Sequence, residues 1–166
     1  DNFEDFSGNR ILSADTITFE TIDNIAPDFV AGSAKIDSLF YILLQNNPSQ
    51  NSRRFCNVQL SIDDNIFTDQ SGMNEVIPED FSIEVIKGNG FSSSAIIENL
   101  TFVDAENSGN DSIIFQIKFD EVPSGKEKFY IRPFNESAIY DLGQNSMSAE
   151  STSDTLTTYD LRFPTI

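Results

Sequence analysis

The sequence predicts an all-β protein, an antiparallel β-sandwich of about seven to nine strands. Three observations carry that expectation. Runs of four to eight β-branched, aromatic or aliphatic residues recur along the chain, separated by Gly, Pro, Asn, Asp and Ser. Several of these runs alternate apolar and polar residues with a period of two, as half-buried strands with one wet face do. No stretch keeps an i, i+3, i+4, i+7 apolar pattern for three turns, so crossover helices and a parallel α/β architecture are excluded.

In chain order the expected strands lie near Thr16–Ile22, Ser38–Gln45, Phe55–Ile62, Phe81–Ile86, Ser94–Ile97, Thr101–Val103, Ser112–Phe119, Lys128–Pro133 and Thr155–Leu161. The clearest alternation sets Ile113, Phe115, Ile117 and Phe119 on one face, with Ser112, Ile114, Gln116 and Lys118 on the other. Cys56, Val58, Leu60 and Ile62 oppose Asn57, Gln59 and Ser61 in the same way, as do Phe81, Ile83 and Val85 against Ser82, Glu84 and Ile86. Ser38–Gln45 is assigned to a strand on the length of its apolar run, Leu39 to Leu44. Pro78-Glu79-Asp80 suits a single helical turn leading into the next strand, with Pro and acids at its start.

Composition narrows the function. With 27 Asp+Glu against 10 Lys+Arg, the formal net charge is −17. Such a surface repels nucleic acid, which is bound through Lys and Arg, and disfavours anionic lipid. It suits divalent cations, basic surfaces or plain solvation. There is no His, so the commonest general base near neutral pH is missing. The single cysteine, Cys56, has no partner for an intrachain disulfide, and within a strand it reads as a small buried apolar residue. Ser nucleophiles lack a His, and carboxylate pairs arise by chance in so acidic a chain. No enzyme is expected, and no membrane insertion, because no apolar run approaches the roughly 20 residues of a span. Beginning at Asp1 rather than Met, the chain reads as a processed product or an excised piece.

One motif occurs twice. Asp5-Phe6-Ser7-Gly8-Asn9 leads through Ser13-Ala14 and Asp15-Thr16 to a Thr/aromatic strand ending at Asp23. Asp141-Leu142-Gly143-Gln144-Asn145 leads through Ser148-Ala149 and Asp154-Thr155 to Asp160, and Pro27 and Pro164 follow. Self-similarity at a long period indicates an array of modules. Residues 1–26 then read as the last strand of a preceding module or an extended linker, and residues 27–166 as one β-sandwich module.

Several further stretches sit together in one order. They are Ile66-Phe67-Thr68-Asp69-Gln70-Ser71-Gly72, Pro78-Glu79-Asp80-Phe81-Ser82-Ile83, Gly88-Asn89-Gly90, Val122-Pro123-Ser124-Gly125-Lys126-Glu127, Ile131-Arg132-Pro133 and Ser137-Ala138-Ile139-Tyr140-Asp141. With the linker Thr21-Ile22-Asp23-Asn24-Ile25-Ala26-Pro27 they resemble the Ig-like repeats of very large bacterial surface and adhesin-like proteins. The resemblance spans most of residues 15–160. It departs at Gly143-Gln144-Asn145, where the family has Gly-Asn, and at Asp63-Asp64, where it has Ser-Glu. It implies an Ig-like β-sandwich, an extracellular or cell-surface location, and a structural or adhesive role in a repetitive fibre beside neighbouring copies of the same module. A glycan- or protein-binding surface domain stays open, as does a filament subunit that lends residues 1–26 to a neighbour's sheet edge.

The Asp-rich loops are the candidates for chemistry. Ca²⁺ takes six to eight oxygen ligands, and carboxylates are its commonest protein donors. Asp63, Asp64 and Asp69 share one strand-to-loop segment, Asp80 follows Glu79, Asp141 ends a strand, and the linker Asp23 could meet them at a module junction. The alternative is that these carboxylates cap turns by accepting backbone N–H bonds.

Overall fold

Two long strands set the frame. Strand β2 (Phe55–Ile62) and strand β5 (Asp111–Phe119) pair antiparallel over their whole length, from Phe55 opposite Lys118 to Ile62 opposite Asp111. Their alternation buries Val58, Leu60, Ile62, Ile113, Phe115, Ile117 and Phe119 on one face. The structure is a computed structural model that describes residues 23–46, 49–103 and 111–163. Strands β1 (Lys35–Ile36) and β4 (Ala95–Phe102) flank this pair, so the first sheet runs β1-β2-β5-β4. The second sheet is β3 (Phe81–Ile86), β6 (Lys128–Pro133) and β7 (Leu156–Thr157), in the order β3-β6-β7. Every pairing is antiparallel. The inner faces meet through edge-on aromatic pairs, Phe81 with Phe115 at 4.9 Å and Phe119 with Phe129 at 5.4 Å between ring centres. The protein is a β-sandwich with seven strands among the described residues.

Four strand assignments change. Ser38–Gln45 is an α-helix, α1, not a strand. A run of consecutive apolar residues has no period to separate the two. Asp37 decides it locally: its carboxylate accepts the free N–H groups of Leu39 and Phe40 at 2.9 and 3.2 Å. The helix turns Phe40, Tyr41 and Leu44 inward and leaves Leu39 and Leu43 exposed. Tyr41 packs on Tyr159, with ring centres 4.3 Å apart. Ser94–Ile97 and Thr101–Val103 are one strand, β4, whose register slips between Ile97 and Asn99, as a bulge does. Thr155–Leu161 pairs only at Leu156–Thr157, with a separate bridge from Asp160 to Ser124. Lys35–Ile36 forms a short edge strand that its sequence does not announce. The strand expected at Thr16–Ile22 lies outside the described residues. The single turn at Pro78–Asp80 forms as expected, as a 3-10 helix running into β3.

Cys56 is buried, and burial, with the charge of Asp37 adding to it, pushes its thiol up to about 12. A thiol held protonated in this way is inert as a nucleophile. None of the helices among the described residues is long and apolar enough to cross a membrane.

The antiparallel register gives the sandwich two poles. At one, β2 ends at Ile62 and β5 begins at Asp111, and the chain arrives there from Asp23. At the other, β2 begins at Phe55 and β5 ends at Phe119, and the chain leaves past Asp160. Nine residues of β5 at about 3.4 Å each hold these leading and trailing poles roughly 30 Å apart.

The trailing pole is tied together by one side chain. The Glu127 carboxylate is fully buried and accepts from Phe91 N–H at 2.7 Å, Ser92 N–H at 3.2 Å, Ser124 N–H at 2.9 Å, Lys126 N–H at 3.2 Å and Thr158 O–H at 3.0 Å. It thereby joins the β3–β4 loop, the β5–β6 loop and the segment after β7. Gly90 has no side chain because a Cβ there would lie 2.3 Å from the Glu127 carboxyl carbon. Asp120 does a parallel job next door, accepting from the hydroxyls of Ser92 and Ser93 and the N–H groups of Ser93 and Ser94.

Candidate metal centre

The leading pole is assembled from three stretches of chain. Phe67 and Tyr140 exchange backbone hydrogen bonds at 2.7 and 2.8 Å, which lays the segment after β2 beside the segment after β6. Asp64 and Asp141 thereby become neighbours, although they are far apart in sequence. Asp141 opens a tight turn through Asn145. The Asp141 N–H donates to the Asn145 carbonyl at 3.1 Å, and its carboxylate accepts the Asn145 N–H and side-chain N–H, both at 2.8 Å. Gln144 takes the left-handed conformation at φ 67° to close the turn.

Asn145 then reaches the incoming linker. Its side-chain nitrogen lies 3.2 Å from the carbonyl oxygens of both Asp23 and Ile25. This amide therefore fastens the linker backbone to the turn that carries Asp141. Asp23 stabilises its own bend, accepting the Ile25 N–H at 3.0 Å. Gly143 permits the approach: a Cβ there would lie 2.9 Å from the Asn145 side-chain nitrogen and 3.1 Å from the Asp23 Cβ.

The result is a carboxylate triad. One oxygen each from Asp23, Asp64 and Asp141 lies within 4.8 Å of the others. Asp141 is buried, Asp64 half-buried and Asp23 exposed. Burial raises the pKa of Asp64, and the charges of Asp141, Asp23 and Asp63 raise it further, over the opposing hydrogen bond from the Asn65 N–H. A donor set of oxygen alone, with no His or Cys, suits a hard cation such as Ca²⁺ or Mg²⁺ rather than a transition metal.

Of the six candidate ligands, the fold brings three together and employs the rest elsewhere. Asp63 accepts the Asp28 N–H at 2.7 Å, clamping the linker side of β2, and contributes only its charge to Asp64. Asp69 accepts Ser71 N–H at 2.7 Å and the Asn74 side chain at 2.6 Å, and these bonds lower its pKa. Asp80 is buried and accepts from Thr68 O–H and Ile77 N–H at 3.0 and 2.8 Å. Asp69 and Asp80 thus cap local turns, while Asp63 makes a tertiary clamp. Asn145 and Gly143 were not among the sequence candidates. The only signal for them is the Asp-Leu-Gly-Gln-Asn spacing, which marks a turn but not what the turn holds.

A Cβ at Gly143 tests this geometry. Gly143→Ala is expected to displace Asn145 and the linker and to cost about 1–3 kcal/mol, as overpacking does. A lowered melting midpoint checks it; an unchanged midpoint and an unchanged response to Ca²⁺ would show that the close approach is not required.

No family model, no curated protein and no solved structure matches this chain.

Proposed function

We propose that this chain is a non-catalytic structural or adhesive module of a repetitive cell-surface or fibre protein, stiffened by Ca²⁺ where the linker joins the sandwich. One observation carries the reading. The linker contributes Asp23 to a triad whose other members, Asp64 and Asp141, belong to the sandwich. A cation bound there offsets most of the charge of three converging carboxylates and ties the linker to the module, so binding and stiffening are one event. The net charge of −17 and the absence of His support a non-catalytic, cation-dependent role. The resemblance to bacterial Ig-like surface repeats supports the extracellular location.

The test is thermal unfolding in Ca²⁺ and in chelator. At a hundredfold excess over the dissociation constant a single-site ligand adds about 2.7 kcal/mol. That raises the midpoint of a chain of this size by roughly 5–10 °C. Mg²⁺ is expected to do less, because it dehydrates reluctantly and demands octahedral geometry. Asp141→Asn is expected to abolish the response. Asp64→Asn also abolishes it, but in chelator it leaves the protein slightly more stable, because it removes a charge that its neighbours oppose. Equal midpoints with Ca²⁺ and with chelator would sink the calcium reading.

A further inference from the structure

The leading pole receives the linker residues Asp23 to Pro27, and the sequence around them is repeated where the chain passes the trailing pole. Thr21, Asp23 and Pro27 stand 137 positions before Thr158, Asp160 and Pro164, so Thr-x-Asp-x-x-x-Pro occurs twice at one spacing. The two aspartates also fold alike. Asp23 accepts the N–H of Ile25 at 3.0 Å and Asp160 that of Arg162 at 3.1 Å, each from two residues onward.

Both segments are anchored, at opposite poles. Asn145 holds the arriving backbone by the carbonyls of Asp23 and Ile25. The departing backbone is held by Tyr41 O–H on the Asp160 carbonyl at 3.2 Å and by Arg53 on the Leu161 carbonyl at 2.9 Å. The Asp160 residue itself stays exposed. Charge is uneven along the same axis: the leading pole is acidic, whereas the trailing pole mixes cations with Asp120, Glu121, Glu127 and Asp160. Asp23, Asp28, Asp63, Asp64, Asp111 and Asp141 gather at the leading pole. Arg53, Arg54, Lys87, Lys126, Lys128 and Arg162 lie at the trailing one, by the strand register and the contacts of Arg54 with the Phe119 carbonyl and of Arg162 with the Phe91 ring.

We infer that the trailing pole is a docking surface for the leading pole of a following copy of this fold, in covalent series with a repeat of 137 residues. Asp160 is the third carboxylate of the next copy's triad, and the next copy's Asn145 grips the carbonyls of Asp160 and Arg162. Because the chain arrives at one pole and leaves at the other, successive copies relate by translation, and the contact builds an open rod rather than a closed pair. Two acidic leading poles repel each other, whereas the mixed-charge trailing pole offers Arg and Lys to the leading pole's carboxylates, so this order is favoured over contact between two leading poles. The inference deepens the proposed modular role. It shares with the calcium reading only the triad, since the grip of Asn145 on the linker needs no cation.

The test therefore reads melting in chelator. In the full chain, residues 21–26 are replaced by the six residues Thr158 to Phe163, so that Pro27 follows the transplanted segment. The graft is expected to keep the parent's midpoint, and Asn145→Ala to lower graft and parent equally. A control graft with the same six residues scrambled is expected to melt below both. In a two-copy protein with Pro27–Ile166 placed directly after Phe163, Asn145→Ala in the second copy is expected to lower one unfolding transition and to shorten the maximum dimension in small-angle scattering. A graft no better than the scrambled control, or a two-copy protein indifferent to Asn145→Ala in its second copy, would overturn the inference. Failure of the calcium reading alone shows differently: the parent ignores Ca²⁺ while the graft and two-copy results stand.

Discussion

Glu127→Gln is expected to destabilise the fold by about 3–5 kcal/mol, the range for breaking a buried, hydrogen-bonded charge. The carboxylate is an acceptor only, and every partner facing it is a donor: the N–H groups of Phe91, Ser92, Ser124 and Lys126 and the hydroxyls of Ser124 and Thr158. An amide must turn its NH₂ toward some of these donors, leaving buried groups unsatisfied. Burial works against the charge of Glu127, but the N–H groups of Phe91, Ser124 and Ser92 outweigh it and hold the carboxyl down to about 2. Its pKa is depressed on folding. The stability it contributes is therefore present above the ordinary glutamate range near 4.5 and is lost as pH falls towards 2. That loss amounts to about 3 kcal/mol. Denaturant unfolding followed between pH 5 and pH 2 checks both parts. The variant should start less stable and lose less on acidification. A variant with the parent's stability and pH slope would show that Glu127 does not hold the three loops together. Asp120 is depressed as well: burial opposes its charge, and the hydroxyls and N–H groups around it prevail. Its contribution remains in the variant. Asp64 has the opposite sign. Its raised pKa means that acidification through the ordinary carboxylate range relieves repulsion at the leading pole.

Phe115→Ala should cost a similar amount, about 3–5 kcal/mol, by a different mechanism. Phe115 is fully buried in the central pair of the first sheet and meets Phe81 of the second edge-on at 4.9 Å. Truncation removes the apolar transfer energy and opens a cavity between two hydrogen-bonded sheets that cannot collapse freely. For a chain of this length the melting midpoint should fall by roughly 6–20 °C. Phe115→Leu keeps most of the volume and should lose much less. Phe134→Ala, at a side chain 64% exposed, should fall within about 0.5 kcal/mol of the parent. Equal losses at Phe115 and Phe134 would show that the core is not where the period-two pattern places it.

The two strands that frame the sandwich are legible residue by residue. Along β2 and β5 one face is buried and the other wet, and a strand's two-residue period writes that difference directly into the order of side chains. The same reasoning fails at Leu39 to Leu44, where six apolar residues carry no period. There the outcome rests on the Asp37 cap and on the packing of Tyr41 against Tyr159, a residue more than a hundred positions away. Glu127 shows the limit from another side. Its neighbours Gly90 and Ser124 are ordinary loop residues in sequence and Thr158 lies within an expected strand, and only their convergence makes a carboxylate indispensable.

The candidate metal centre divides in the same way. The amino-acid sequence by itself determined the all-β class, the apolar faces of its main strands, the acidity, the lack of a His-based chemistry and the set of aspartates from which any cation site must be drawn. All of these follow from residue type and short-range period. The tertiary structure alone decided which aspartates meet. Asp69 and Asp80 are consumed as caps of their own turns, and Asp63 is consumed by the distant N–H of Asp28. Asp23, Asp64 and Asp141 converge because the Phe67–Tyr140 bridge and the Asn145 side chain bring three distant segments to one pole. A carboxylate's local partners can be read from its neighbours in the chain, whereas its repulsion from, or shared cation with, another carboxylate depends on distance through space.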